Sequence, residues 1–315
     1  HAYQISPSAK YAIHTYSTID EPATIELISL PKHKTIRVLQ DNAEMKKNLT
    51  ALKRRPTEFF KIDIGKGLTL DGWMIKPFDF DSTKKYPLFI FVYGEPAGQT
   101  VTDDWDTGDY LWHQMLSQQG YIVCSIDNRG TPAPRGRSWR KIIYRDLGYL
   151  GPQDQADGVR IMRSWNFIDS TRVGIWGWSG GGASTLQAMF RYPELYQVGM
   201  CVSPVTDQHN YDNIYTERYM GLPKDNAADY TRTAPLTYAK NLRGHLLLVH
   251  GTGDDNVHYQ NTEMLINELI KAGKPFDMMA YPNRTHSINE GEGTSLHLRT
   301  LLTRYLNTHL PAGPK

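Results

Sequence analysis

Apolar residues occur in most of the chain as short continuous runs, which alternate with longer segments of helical periodicity. The runs YPLFIFVYG, YIVCSID, RVGIWGW, VGMCVSPV, HLLLVHG and PFDMMAYP, between residues 86 and 282, are typical of strands buried on both faces. Helical segments such as YLWHQMLSQQG, GPQDQADGVRIMRSW and YQNTEMLINELIKAG separate them. Strands that alternate with helices predict an α/β fold with a mostly parallel central sheet covered on both faces.

The first part of the chain has a different pattern. Residues 11–41 contain three alternating segments, YAIHTYS, ATIELISL and TIRVLQ, separated by turn residues, which predict a small antiparallel sheet. A sheet of three strands buries little apolar surface, so we expect it to need a neighbour. A basic, polar stretch follows as a short helix and linker. We therefore predict two units, residues 1–55 and 56–315, with an antiparallel hairpin at the start of the second.

Composition and charge exclude some partners. The 35 basic and 33 acidic residues are well mixed and give a net charge of +2, so the sequence predicts no nucleic-acid partner. The apolar runs are far shorter than the roughly 18 to 20 residues that a membrane span needs. The first ten residues, HAYQISPSAK, lack the basic start and apolar core of a secretion signal.

The stretch VGIWGWSGGGASTLQ contains the pattern G-x-S-x-G around Ser179. A predicted strand precedes it and a helix follows, and a sharp turn in that context lifts a serine out of the sheet as a nucleophile. The flanking Gly177 and Gly181 would allow the backbone to pass closely, and the N–H of Gly180 would lie beside the serine oxygen. The alternative interpretation is a glycine-rich turn with an inert serine.

A serine nucleophile needs a base, and the base needs an acid that orients it. Asp254 and Asp255 follow one later strand, and His286 follows the next, which is the chain order expected for an α/β-hydrolase. Either aspartate could instead cap the following helix. The other histidines, such as His250, are better explained by structural or surface roles.

One single tyrosine and one series of three tyrosines each have two possible interpretations. Tyr93 ends the first long parallel strand, where it could donate its phenol to an oxyanion or simply pack. Tyr211, Tyr215 and Tyr219 are four residues apart, which predicts one face of a helix. Such a stripe is usually core packing, but near an active site it would form an aromatic pocket for a small apolar ring.

Together these motifs resemble the catalytic half of the prolyl oligopeptidase family, and most closely its dipeptidyl peptidase IV branch. The resemblance rests on GWSGGG, HGTGDDNVHYQ, VYGEPAGQTV, DNRG and YDNIYTERYMGLP. It implies an α/β-hydrolase fold preceded by a remnant of a β-propeller, with residues 1–55 as the last blade and linker. The rest of an N-terminal propeller would belong to the full-length protein.

The resemblance also implies a role for each matching residue. Ser179 matches the nucleophile, Asp254 the acid and His286 the base, which leaves a structural role for Asp255. Tyr93 and Gly180 match the two oxyanion donors. The substrate-binding positions are the wall of the proline pocket and a residue that holds a substrate carbonyl: Tyr211, Tyr215, Val205, Trp178 and Val257 for the wall, and Asn256 for the carbonyl.

The sequence departs from the family pattern at several positions. Glu95 replaces a small residue in the usual YGGP or YAGP turn, Gly180 stands where the branch often has tyrosine, and Gln208 replaces a pocket tryptophan. These changes predict a roomier pocket with a carboxylate near the oxyanion tyrosine. The paired glutamates that bind a substrate's free N-terminus lie in the propeller, outside this chain.

The function expected from this resemblance is a serine peptidase that cleaves after proline or alanine. In full-length form it would be a dipeptidyl-peptidase-like aminopeptidase, with no cofactor or metal, a peptide as substrate and a homodimer as a plausible assembly. The resemblance favours a periplasmic or secreted location. The alternatives are an esterase or acyl-peptide hydrolase with the same triad, or an inactive binding or dimerisation fragment.

Overall fold

The computed structural model describes residues 1–65, 67–105 and 108–315. The first sheet is antiparallel, with four strands in chain order: β1 (Ala2–Ile5), β2 (Tyr11–Thr18), β3 (Glu21–Ser29) and β4 (Lys34–Gln40). The meander predicted for residues 11–41 is therefore confirmed, and β1 is an additional strand. All residues of β1 are exposed, so its sequence shows no alternation that could have predicted it.

The second sheet contains the apolar runs. Its strands are β5 (Glu58–Asp63), β6 (Thr69–Ile75), β7 (Tyr86–Phe91), β8 (Ile122–Ile126), β9 (Ile168–Trp178), β10 (Val198–Val202), β11 (His245–Gly251) and β12 (Asp277–Tyr281). They lie in the order β12-β11-β10-β9-β7-β8-β6-β5. Strands β7 to β12 pair in parallel, whereas β5 and β6 form an antiparallel hairpin that joins the sheet through β8. The predicted α/β fold class is confirmed.

Helices cover both faces of this sheet. The helices of the described residues are α1 (Ala43–Thr50), α2 (Tyr110–Gln118), α3 (Gly136–Lys141), α4 (Leu150–Met162), α5 (Gly180–Arg191), α6 (Asn213–Met220), α7 (Ala227–Thr233), α8 (Gln260–Lys271) and α9 (Thr294–His309). Helices α4, α5 and α8 pack on one face of the sheet and α2 and α9 on the other, whereas α1 packs against β3. Short 3-10 helices occur at Gln208–Asn210, Pro223–Asp225 and Pro235–Asn241. In the described part of the chain, no helix is both long enough and apolar enough to cross a bilayer.

Two apolar cores lie on opposite faces of the large sheet. Leu88 and Ile90 of β7 point into one core, which also contains Val159 of α4 and Leu186 of α5. Phe89, between them, belongs to the other core. Because alternate residues of one strand face opposite sides, a strand in the middle of such a sheet must be apolar throughout. This explains why the runs in the sequence are continuous rather than alternating.

The small sheet docks on the large unit through the turn between β2 and β3. The Asp20 carboxylate accepts hydrogen bonds from the N–H and hydroxyl of Thr57, both at 2.8 Å, and from the hydroxyl of Tyr110 at 2.8 Å. Arg54 donates to the Asp20 carbonyl at 2.9 Å. Since the carboxylate bonds both Thr57, just before β5, and Tyr110 of α2, this turn fixes where residues 1–40 join the large unit.

The turn from β9 to α5 packs unusually closely against the end of β7. A Cβ atom on Gly181 would lie 2.2 Å from the carbonyl oxygen of Val92, and one on Gly177 would lie 2.4 Å from the same oxygen. These distances are too short for any side chain, and the obstacle is backbone. The steric explanation for both glycines of the G-x-S-x-G motif is therefore confirmed.

We expect Gly181→Ala to lower the free energy of unfolding by about 3 kcal/mol, because either α5 or the end of β7 must move. Gly158→Ala is the matched control, since a Cβ there would meet only side-chain methyl groups, that of Ile126 at 2.5 Å and that of Leu70 at 3.9 Å. The control is expected to cost about 1 kcal/mol or less, because the Ile126 methyl can rotate away and alanine favours a helix. Urea unfolding of both variants measures the difference, and equal losses would contradict this account of the turn.

Candidate active site

Ser179 lies in the turn between β9 and α5. Its backbone has φ 60° and ψ −120°, a conformation that costs a residue other than glycine roughly 1 to 3 kcal/mol. Its N–H donates to the carbonyl of Val202 in β10 at 2.8 Å, and its carbonyl accepts from Ala183 in α5 at 3.0 Å. These bonds hold a strained serine at the carboxyl edge of the parallel strands, as G-x-S-x-G predicts.

Asp254, in the loop after β11, carries a buried carboxylate with four hydrogen-bond donors around it. Oδ1 accepts from the N–H groups of Asn256 at 2.9 Å and Val257 at 2.8 Å. Oδ2 lies 2.8 Å from Nδ1 of His286 and 3.0 Å from Nε2 of His250. Burial raises the pKa of Asp254, but the hydrogen bonds from His250, His286 and Asn256 outweigh burial and hold this pKa well below its ordinary value.

Asp255 differs from its neighbour in both exposure and contacts. It is exposed, and its Oδ1 accepts a hydrogen bond from the backbone N–H of His286 at 3.4 Å. Helix α8 begins at Gln260 with Tyr259 before it and no side-chain cap. The expectation that one aspartate of the pair caps this helix is therefore wrong. Asp254 satisfies the N–H groups of its own loop instead, before the helix starts.

His286 lies in the loop after β12, with 18% of its side chain exposed. Because Nδ1 faces the Asp254 carboxylate, a hydrogen on Nδ1 leaves Nε2 as the acceptor of the ring. The backbone carbonyl of His286 accepts a hydrogen bond of 3.0 Å from the indole of Trp178. Since Trp178 immediately precedes Ser179, this bond ties the histidine loop to the serine turn.

His250 is a member of this cluster that the sequence did not reveal. Its ring is completely buried, with Nδ1 2.7 Å from the hydroxyl of Thr262 and Nε2 2.9 Å from the carbonyl of Val257. Nε2 therefore carries the hydrogen that it shares between Val257 and Asp254. The described residues contain no group of three or more His, Cys, Asp or Glu side chains arranged to hold a metal.

Tyr93 follows β7, and Gly180 is the first residue of α5. The carbonyl of Tyr93 accepts a hydrogen bond from the hydroxyl of Ser184 at 2.9 Å, which fixes the tyrosine turn to the helix. Burial, together with the nearby Glu95, raises the pKa of the Tyr93 phenol above its ordinary value, so it keeps its proton at neutral pH. The N–H of Gly180 is one of the helix N-terminal donors that have no partner within the helix.

The residues expected to form the pocket wall also come together. One buried apolar cluster contains Ala183, Val205 and Val257, with Tyr211 packed against it. The hydroxyl of Tyr211 donates to Oδ1 of Asn256 at 2.9 Å, and the rings of Tyr211 and Tyr215 meet edge to face at 5.6 Å. Tyr211, Tyr215, Val205 and Val257 thus belong to one connected group, whereas Trp178 is bonded to the His286 carbonyl.

The tyrosine stripe is not a single helical face, however. Helix α6 begins at Asn213, and the Asp212 side chain caps it by accepting from Ile214 at 2.7 Å. Tyr211 precedes this cap, so the expectation that all three tyrosines lie on one helix is wrong for Tyr211. The rings form a continuous series nevertheless, because Tyr215 also meets Tyr219, at 5.0 Å.

Glu95 reaches further into the site than the sequence indicated. Its carboxyl is 4% exposed and accepts a hydrogen bond of 2.7 Å from the hydroxyl of Tyr215. A Cβ atom on Gly180 would lie 2.7 Å from its carboxyl carbon. Burial raises the pKa of Glu95 to about 7, although the Tyr215 bond opposes this. Gln208 is also buried, and its side-chain oxygen accepts from the hydroxyl of Thr216 at 3.1 Å.

Comparison with known proteins gives consistent matches. The profile of the Prolyl oligopeptidase family matches residues 109–312. Dipeptidyl peptidase 8 of Mus musculus is 34% identical over 99% of this chain, and prolyl endopeptidase FAP of Mus musculus is 37% identical over 86%. The matched regions are 36% and 35% of those two proteins, so the chain spans about a third of their length.

Solved structures agree with the sequence matches. The crystal structure of Porphyromonas gingivalis dipeptidyl peptidase 4 superimposes with a TM-score of 0.94 and 38% sequence identity. The superposition covers 98% of this chain and 43% of that one. Because both sheets are included in that coverage, the similarity extends to residues 1–40 as well as to the hydrolase unit.

The raised pKa of Glu95 predicts a pH-dependent stability. The folded chain keeps this proton up to about pH 7, whereas an unfolded chain loses it near the ordinary value of 4.5. The stabilising contribution is therefore full below pH 4.5 and is lost as the pH rises through 7. Relative to Glu95→Gln, we expect the unmodified chain to lose about 2 kcal/mol of unfolding free energy between pH 5 and pH 8.

Urea unfolding of both proteins at the two pH values provides the measurement, and other titrating groups cancel in the comparison. Parallel pH dependence of the two proteins would show that Glu95 does not titrate as a buried carboxyl.

Proposed function

The chain belongs to the prolyl oligopeptidase family, and we propose that it is the catalytic part of a serine peptidase that cleaves after proline or alanine. The full-length protein would be a dipeptidyl-peptidase-like aminopeptidase, as the names of several relatives suggest. One observation carries the proposal above the others. It is the 2.8 Å contact between Nδ1 of His286 and Oδ2 of Asp254, beside a strained serine turn.

In the proposed mechanism, Oγ of Ser179 attacks the carbonyl carbon of the scissile bond while Nε2 of His286 removes its proton. Asp254 stays ionised and stabilises the imidazolium that forms. The imidazolium then gives its proton to the leaving amine, and the C–N bond breaks to leave an acyl-enzyme on Ser179. Water, activated by the same histidine, releases the acyl group and regenerates the serine.

The negative charge that develops on the carbonyl oxygen needs donors already in place. We assign these donors to the hydroxyl of Tyr93 and the N–H of Gly180. A phenol whose pKa is raised by burial remains protonated and can donate throughout the neutral range. Such donors act in a site shielded from water, where each contributes several kcal/mol to the transition state.

The substrate would lie against the aromatic side of the site. Tyr211, Tyr215, Val205, Val257 and Trp178 form the proposed wall for the residue before the scissile bond. Asn256 would hold the next substrate carbonyl. Because its Oδ1 already accepts from Tyr211, the amide group is turned so that Nδ2 is the side available to donate.

We also propose that residues 1–55 are the last blade and linker of a β-propeller and that residues 56–315 are the catalytic domain. The small sheet leaves large apolar side chains exposed on its outer strands, including Ile5 at 61% and Ile36 at 51%. Neighbouring blades would cover such side chains. The preference for releasing dipeptides from a free N-terminus would then depend on parts of the protein outside this chain.

The choice of Asp254 rather than Asp255 gives a matched test. Asp254→Asn is expected to lower kcat/KM for an Ala-Pro anilide by about 10³ to 10⁴, because the amide supports the wrong histidine tautomer. Asp255→Asn should stay within about tenfold of the unmodified chain, since it leaves the buried hydrogen bonds in place. Ser179→Ala should lower kcat by several orders of magnitude.

The proposal fails if Ser179→Ala retains the activity of the unmodified chain, and the acid is wrongly assigned if the two asparagine variants lose equal activity. A simple acyl ester separates the alternative chemistry: an esterase would turn it over far faster than the proline anilide. An inactive fragment would turn over neither substrate.

A further inference from the structure

The carboxyl group of Glu95 has a hydrogen-bonding capacity that the protein does not use. Its Oε2 accepts from Tyr215 at 2.7 Å, but the buried Oε1 has no hydrogen-bond partner among the described residues. No lysine or arginine in the described part of the chain pairs with it. An unpaired polar atom at such depth is costly unless a further hydrogen-bond partner satisfies it.

The position of this carboxyl links it to the bond that is cleaved. Its carbon would lie 2.7 Å from a Cβ on Gly180, the residue after Ser179. The Tyr215 hydroxyl that it accepts from belongs to the proposed wall of the substrate pocket. The carboxyl group therefore lies between the residue after Ser179 and a tyrosine of the proposed wall, with Oε2 as the oxygen nearest to both.

A small cavity adjoins the carboxyl. Its volume is about 10 Å³, enough for roughly one water molecule, and it lies between Glu95, Ala183, Val205 and Gln208. The lining is mixed, since Ala183 and Val205 belong to the apolar cluster whereas Gln208 and Glu95 are polar.

We propose that Glu95 makes this pocket selective for a substrate residue whose side chain ends in a hydrogen-bond donor. A hydroxyl or an ammonium group at that end would donate to Oε1 and complete the coordination of the carboxyl. A plain proline or alanine leaves the oxygen unpaired. The inference rests on the proposed function, since it assigns a specificity to the same peptidase site.

The chemistry of the donor decides between two kinds of substrate. A hydroxyl, as in 4-hydroxyproline, would pair with the carboxyl in either protonation state, because it can donate to the ionised group or accept from the protonated one. An ammonium group, as in lysine, would form a buried ion pair, which requires Glu95 to be ionised. The side chains that face the carboxyl, Tyr215, Tyr93, Tyr211 and Asp207, include no cation that would compete with either donor.

The test uses the full chain and four free-amine Ala-Xaa anilides, with proline, 4-hydroxyproline, norleucine and lysine as Xaa. We expect kcat/KM to be at least about tenfold higher for hydroxyproline than for proline, or for lysine than for norleucine. Which ratio rises identifies the donor. Glu95→Ala should reduce the raised ratio at least about tenfold. Glu95→Gln should do the same if lysine is the preferred residue, because the amide lacks the charge that would pair with the ammonium group. Glu268→Gln, at an exposed glutamate on α8, is the control and should leave both ratios unchanged.

Each remaining outcome has a definite meaning. If kcat/KM for the proline anilide equals that for the hydroxyproline anilide, and kcat/KM for the norleucine anilide equals that for the lysine anilide, the inference is overturned while the proposed function stands. If the Glu95 variants lower kcat/KM by the same factor for all four substrates, Glu95 only positions Tyr215, and the inference is again overturned. If none of the four is cleaved by the unmodified chain, the proposed function fails and the inference fails with it.

Discussion

The rest of the site depends on the hydrogen bonds that surround the buried carboxylate of Asp254. An ionised group at that depth needs donors on all sides, and four surround it: two N–H groups of its own loop, His250 from β11 and His286 from the loop after β12. Two loops that follow different strands are thereby held together. The Trp178 bond to the His286 carbonyl extends the same arrangement to the serine turn.

The sheet makes this convergence possible. Because β7, β9, β10, β11 and β12 run in the same direction, the residues that follow them meet at one edge. Tyr93, Ser179, Val205, Asp254 and His286 each come shortly after one of these strands. Residues far apart in sequence are thus brought to one edge of the sheet without long loops, and the tight turn at Gly177 and Gly181 sets the position of Ser179 against β7.

The sequence predicted the parts that follow from strong local patterns, such as the continuous apolar strands and the turn around Ser179. It predicted the pairing of His286 with an aspartate, but it did not predict which further side chains contact the site. The helix cap at Asp212, for example, excludes Tyr211 from α6. The contact of His250 with Asp254 and the reach of Glu95 to Tyr215 depend on how loops fold over the sheet, which no local pattern encodes.

The reactivity of the Ser179 hydroxyl should depend on His286 and Asp254. Reaction with a fluorophosphonate probe, with the modified residue identified by mass spectrometry, tests this most directly. The geometry predicts that Ser179 is modified rapidly in the folded chain, and at least about a hundredfold more slowly in His286→Ala or after unfolding in urea. A lack of modification at Ser179, or an equal rate in His286→Ala, would contradict the assignment of this serine as an activated nucleophile.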